Sequence, residues 1–142
     1  MSKIDEIIEM LQSLDNEYRL EMLLDYSEKL PPLPEKYQNA AEKESHRVHE
    51  CMTPVSLWVE IVDGKVHVFA DVPRESPTVR GFISMLLDAF NGESPEVVLT
   101  APTDILQRSG LANALGMRRI QGLGVMLQRI KGEVSRKVKS EK

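Results

Sequence analysis

The residues best suited to covalent chemistry lie in one polar run, His46-Arg47-Val48-His49-Glu50-Cys51-Met52-Thr53-Pro54, which holds the sole cysteine of a 142-residue chain. One thiol excludes an intramolecular disulfide, CxxC redox exchange and a metal site built of cysteines alone. A free cysteine often packs as a small buried hydrophobe. Here the charged flanks, and a proline that keeps the segment out of a sheet interior, predict an exposed loop thiol. Arg47, His46 and His49 would favour thiolate at Cys51, whereas the adjacent Glu50 would oppose it through like-charge repulsion.

Three chemistries use such a thiol. A Cys–His hydrolase needs a third residue to orient the histidine and an oxyanion hole, and neither has a recognisable counterpart in the sequence. His46, His49 and Cys51 are zinc-ligand types, with His67 or an acid available as a fourth, but the short H-x-x-H-x-C run lacks a matching second pair. No metal or cofactor is expected. A sulfur acceptor needs least: one accessible thiolate to attack an incoming persulfide, on a loop that presents the product to another protein.

The elements that position Cys51 can be read from periodicity. Val55–Val62 and Lys65–Ala70 flank Asp63-Gly64, the signature of a two-residue type I′ hairpin. That turn pairs Val62 with Lys65, Ile61 with Val66, Val59 with Val68 and Leu57 with Ala70, giving one continuously apolar face. The other face sets Trp58 against Phe69 and Glu60 against His67, the latter a potential charged pair. Ser56 then faces Asp71, which places Cys51 and Asp71 at the same open end of the hairpin. Ahead of it, Ile4, Ile7, Ile8, Leu11 and Leu14 predict a helix capped by Ser2. A second helix over Glu17–Lys29 has Leu20, Leu23, Leu24 and Ser27 on one side and ends at Pro31-Pro32. Residues 31–50 show no hydrophobic period and read as a surface connection.

Beyond the hairpin, Ser76-Pro77 starts a helix with Val79, Phe82, Ile83, Leu86, Leu87 and Phe90 on one stripe, and Asn91-Gly92 ends it. Ser94-Pro95 starts a short helix, Thr103 opens another that stops at Gly110, and Leu123, Met126, Leu127, Ile130 and Val134 mark a terminal helix. Its polar tail, from about residue 135, is expected to fray. The order predicts a single α+β domain over 1–142, a small antiparallel sheet covered by helices.

Composition narrows the partners. Eighteen Lys and Arg stand against 22 Asp and Glu, a net charge of -4, which lacks the basic field that draws in nucleic acid. The start is acidic almost at once and lacks a signal peptide's apolar core, and no apolar run approaches the ~18 residues of a membrane span. With a lone thiol, a cytoplasmic location is expected.

Leu24-Asp25-Tyr26-Ser27-Glu28-Lys29-Leu30-Pro31 reads as a helix ending in a Leu-Pro step. Arg47-Val48, Cys51 and Val55 are similar to N-R-V-x-G-C-Q-S-Q-V-W. Asp71 with Val79-Arg80-Gly81-Phe82-Ile83 resembles D-S-D-x-x-x-V-[KR]-G-L-I. Leu111-Ala112-Asn113-Ala114-Leu115 and Arg119-Ile120-Gln121-Gly122-Leu123 resemble L-x-x-x-L and R-x-N-G-L. In this order, over about residues 14–132, the segments resemble the SufE family, sulfur acceptors that work with SufS-type cysteine desulfurases in iron–sulfur cluster assembly.

The resemblance implies a SufE/IscU-like fold in which Cys51 receives persulfide sulfur, stimulates the desulfurase and passes the sulfur to a SufB-containing scaffold. Arg47, Glu50, Asp71 and Arg119 become candidates for partner binding or loop support, in a monomer or homodimer. A non-covalent adaptor that regulates a desulfurase without carrying sulfur is the alternative. The departures cluster at the thiol: Glu50 replaces the family's glycine, Met52-Thr53-Pro54 replaces Q-S-Q, Ser56 replaces tryptophan and His46 replaces asparagine. A glutamate in a left-handed turn position would pay a steric penalty that glycine avoids, so a different loop conformation is expected.

Overall fold

The computed structural model describes residues 2–140. Helices α1 (Lys3–Gln12) and α2 (Asn16–Ser27) lead through a 3₁₀ turn (Glu35–Tyr37) and α3 (Ala40–Ser45) to strands β1 (Ser56–Val62) and β2 (Lys65–Asp71). Five helices follow: α4 (Pro77–Phe90), α5 (Pro95–Thr100), α6 (Ile105–Arg108), α7 (Leu111–Leu115) and α8 (Met117–Ser140). The α+β class and the helix-covered antiparallel hairpin are as the sequence predicts.

The hairpin register agrees at every pair from Ser56–Asp71 to Val62–Lys65. Asp63 and Gly64 both have positive φ, 54° and 75°, as a type I′ turn requires. Leu57, Val59, Val66, Val68 and Ala70 are buried together with the α4 stripe, and Phe82, Ile83, Leu86 and Phe90 have no exposed surface. Ser2 caps α1 by accepting from the Asp5 amide, and Asp15 caps α2 by accepting from Tyr18. Each satisfies an amide the helix itself cannot.

The connection over 31–50 differs from the sequence reading. It contains the 3₁₀ turn and α3, the latter capped by the Asn39 side chain, and it covers the outer face of the hairpin. Tyr37 stacks on Trp58 with centroids 4.8 Å apart at 16°, and His46 lies 5.4 Å from the same indole. Glu60 forms its ion pair with Lys36 at 2.7 Å and accepts a hydrogen bond from Tyr37, so these residues and not His67 are its charged and polar partners. Trp58 is consequently only 2% exposed.

Two helix readings also change. On α2, Leu24 is exposed while Leu23 and Ser27 are buried, because the face that meets α4 is centred on Leu23. At the C-terminus, α8 is continuous from Met117 to Ser140. The stretch from 135 is held in helix by buried Val134 and by Val138 packed against the core, where fraying was expected. Glu141 and Lys142 lie outside the described residues.

One side-chain network ties the first helices to α4. Asp88 accepts from Lys3 at 2.9 Å and from Tyr26 at 2.8 Å. Burial alone would push the Asp88 carboxyl up, but these hydrogen bonds and the nearby lysine charges outweigh it and hold it below its ordinary 3.8. A lowered folded pKa adds stability that is present above the unfolded value and is lost as pH falls through the folded one. Asp88→Asn should therefore flatten the acid limb of a urea-midpoint titration below about pH 4, an effect limited to about 1 kcal/mol by the exposure of the pair.

Candidate functional site

The loop carrying Cys51 is tied at its neck. The Val48 amide donates to the Val55 carbonyl at 2.8 Å, the Leu57 amide donates to His46 at 3.1 Å, and Arg47 bridges Ser56. Val48 and Val55 are fully buried, so the two apolar residues flanking the loop act as its anchors. At the tip the Cys51 amide donates to the Val48 carbonyl at 3.2 Å, closing a four-residue turn. Asp63 is the one non-glycine residue with positive φ among the described residues. Glu50 therefore occupies its turn position without the left-handed strain expected from the missing glycine. A type II turn, which needs positive φ at that third position, is excluded.

The thiol points inward. Cys51 is 7% exposed and belongs to the buried core, which corrects the expectation of an exposed thiol. The next residue, Met52, is 99% exposed. The tip thus turns one side chain into the protein and the following one fully out.

Above the thiol lies an open cleft of about 650 Å³ with three walls. The loop supplies Glu50–Thr53, the entry to α4 supplies Glu75–Val79, and the first turns of α8 supply Arg118, Arg119, Gln121, Gly122 and Leu123. Of the residues proposed from sequence, Glu50, Cys51 and Arg119 line this cleft. Arg47 and Asp71 do not. Asp71 does face Ser56, but its carboxylate pairs with Lys43 at 3.5 Å, and the Arg47 guanidinium lies 3.9 Å from Glu44. The pleat explains the separation. Ser56, Trp58 and Asp71 share the outer face of the hairpin, whereas Cys51 folds toward the inner face and α8.

His46 is engaged with Trp58 and the Glu42 carbonyl. Among the described residues no group of three or more His, Cys, Asp or Glu converges as a metal-binding set. The residues missed from sequence are Arg118, Gly122 and the α4 entry. Gly122 did carry a signal, as the glycine of the Arg119-Ile120-Gln121-Gly122-Leu123 segment.

The mixed charge of the cleft follows from its walls. Arg118 and Arg119 are exposed on the first turn of α8, and Glu50 and Glu75 are exposed on the other two walls. Complementary charges of this kind steer and orient a protein partner more than they add raw affinity. Because the Glu50 turn is closed without positive φ, Glu50→Gly relieves no strain; it adds chain freedom at the tip and removes a carboxylate from the cleft wall beside the thiol. The expected outcome is a two- to fivefold faster alkylation of Cys51, a factor that roughly 0.5–1 kcal/mol of added backbone freedom would give by itself. Timed iodoacetamide labelling read by intact mass checks it, and an unchanged rate would mean that burial alone controls access.

Among the described residues no helix is long and apolar enough to cross a membrane. The SufE family model, described as an Fe-S metabolism associated domain, matches residues 5–134. A SufE-like protein of Mycobacterium tuberculosis is 32% identical over 127 residues, covering 89% of this chain and 87% of that one. The cysteine desulfuration protein SufE of Plasmodium vivax is 26% identical over 132 residues, covering 91% of this chain and 51% of the longer relative. A solution structure of a hypothetical protein from Thermus thermophilus superposes with a TM-score of 0.84 at 34% identity, over 98% of this chain and 99% of the other. With the matched segment running from α1 into α8 and the thiol loop inside it, the chain belongs to the SufE family, whose domain is associated with Fe–S metabolism.

Proposed function

We propose that the protein is a sulfur carrier. Cys51 takes sulfane sulfur as a persulfide from a SufS-type cysteine desulfurase, raises the turnover of that enzyme and delivers the sulfur to a SufB-containing scaffold for cluster assembly. The observation that carries this reading is the position of the thiol, at the tip of a tied loop in the wall of an open cleft. Family membership and the name of the Plasmodium relative support it.

In the transfer step the Cys51 thiolate attacks the terminal sulfur of the donor persulfide. The Sγ–S bond forms as the donor's S–S bond breaks, and the electron pair leaves on the donor sulfur, regenerating a donor thiolate for another cycle. The 7% exposure of Cys51 means the donor must enter the cleft or draw the tip outward before the sulfurs meet. Arg118 and Arg119 offer the donor surface partners for carboxylates, and Glu50 and Glu75 offer partners for its basic groups. Arg47 and Asp71 support the loop from outside, through the bridge to Ser56 and the ion pair with Lys43.

A free thiol of this kind works in the reducing cytosol. One copy of the cleft suffices for the step, so a monomer is competent whether or not a homodimer forms. Transfer of labelled sulfur from cysteine by a cognate desulfurase, with Cys51→Ser as the comparison, tests the reading. Equal labelling of the two proteins would overturn it.

A further inference from the structure

We propose that a crevice between α3, β1 and the C-terminal half of α8 binds a small α-amino acid. Trp58 lines this crevice. Its side chain is buried, and the indole Nε1–H has no hydrogen-bond partner among the described residues. A buried indole N–H normally finds an acceptor, because one left unpaired loses the hydration it had in water. Neither aromatic neighbour supplies one: the Tyr37 hydroxyl donates to Glu60, and His46 directs Nδ1 to the Glu42 carbonyl. The crevice holds about 180 Å³. At roughly 30 Å³ for each water of the liquid, that is more than one bridging water needs and suits a molecule of about six non-hydrogen atoms.

The walls carry both signs of charge. Glu133 is compensated within α8, by Arg129 at 3.6 Å and Arg136 at 2.6 Å. Glu42 and Lys137 also line the crevice, and among the described residues neither has an ion-pair partner within 4 Å. The charge of Lys137 reaches Glu60, whose carboxylate is already held by Lys36 and Tyr37. A simple carboxylate ligand would satisfy the indole and Lys137 but oppose Glu42. A simple ammonium would satisfy Glu42 and leave the indole unmet. An α-amino acid joins both groups through one carbon, both charged at neutral pH. Its carboxylate accepts from Trp58 Nε1 and pairs with Lys137, while its ammonium meets Glu42. The volume limits the class to members the size of glycine, alanine, serine or cysteine. This crevice is separate from the thiol cleft, since Arg136 stands roughly 20 Å further along α8 than Gly122 at about 1.5 Å per residue.

Trp58 is the sole tryptophan of the chain, so protein labelled with nitrogen-15 gives one indole N–H resonance, and that resonance reads the site directly. Titration with L-alanine at fixed pH and ionic strength should move it downfield to saturation. Acetate and methylammonium each carry one of the two groups and should need concentrations about tenfold higher or more, the effect of losing a charge-assisted contact. Lys137→Ala and Glu42→Gln change side chains at the crevice rim, and each should raise the half-saturating alanine concentration about fivefold or more. The amide spectrum away from the crevice should stay as it is in the unsubstituted protein. An indole resonance that does not respond to alanine up to about 0.1 M would mean that water alone fills the crevice, and would overturn the proposal. Equal responses to acetate and alanine would also overturn it, by reducing the crevice to an anion site. So would Lys137→Ala and Glu42→Gln proteins that bind alanine as the unsubstituted protein does.

Discussion

Cys51→Ser is expected to reduce sulfur labelling by a cognate desulfurase to background, a loss on the order of 100-fold or more, because a serine hydroxyl supplies almost no anionic nucleophile at neutral pH. The substitution removes little else. Cys51 contributes its amide hydrogen bond to Val48 through the backbone, and the neck contacts of Val48 with Val55 and of Arg47 with Ser56 do not involve the sulfur. The loop should therefore keep its shape, and the variant should still enter the cleft-mediated complex. Desulfurase turnover measured with the same variant separates two roles. If stimulation falls together with labelling, the protein acts by removing sulfur from the donor. If stimulation survives without labelling, the non-covalent adaptor is the correct account, and the exposed Met52 with the charged cleft walls would be the surface that delivers it.

The contrast between what the hairpin and the thiol loop disclose in sequence has a physical origin. Asp63-Gly64 fixes a turn type, the turn fixes the register, and period-2 alternation then determines both faces; every paired residue followed from local chemistry. The 31–50 segment has no such period because single side chains hold it in place: Tyr37 on Trp58, Lys36 and Tyr37 on Glu60, His46 against the same indole. Each contact joins residues from separate elements, so no local pattern announces it. The same holds at the site. Placing Cys51 at the mouth of the hairpin needed only the register. Knowing that its sulfur faces Gly122, and that Asp71 faces Lys43, required contacts that α8 and α3 make with the loop and the hairpin from far along the chain.

Gly81→Ala should destabilise the protein strongly, and the reason reaches back to the cleft. Helices α2 and α4 cross so closely that a Cβ on Gly81 would lie 2.1 Å from the Leu23 carbonyl oxygen and 2.8 Å from its carbonyl carbon. These are backbone atoms in the middle of a helix, so relief requires the two helices to separate rather than a side chain to rotate. Overpacking of this sort costs about 3 kcal/mol or more, against roughly 1 kcal/mol returned by the better helix propensity of alanine. A net loss near 2 kcal/mol lowers the melting temperature by roughly 5–10 °C in a domain of this size. The neighbouring Arg80 transmits the displacement, because it donates to the Ser27 carbonyl at 2.9 Å and to the Val72 carbonyl at 2.6 Å, joining the end of α2 to the segment that leads into α4. Ser76–Val79 at the entry of α4 forms one wall of the cleft, so a shifted α4 also alters the surface the donor must fit. Gly124→Ala provides the opposite sign: its Cβ meets nothing within 4 Å, and the helix gains up to about 1 kcal/mol. A thermal-unfolding comparison in which Gly81→Ala melts with the unsubstituted protein would show that the crossing can open without cost, and the cleft wall it supports would then have to be regarded as movable.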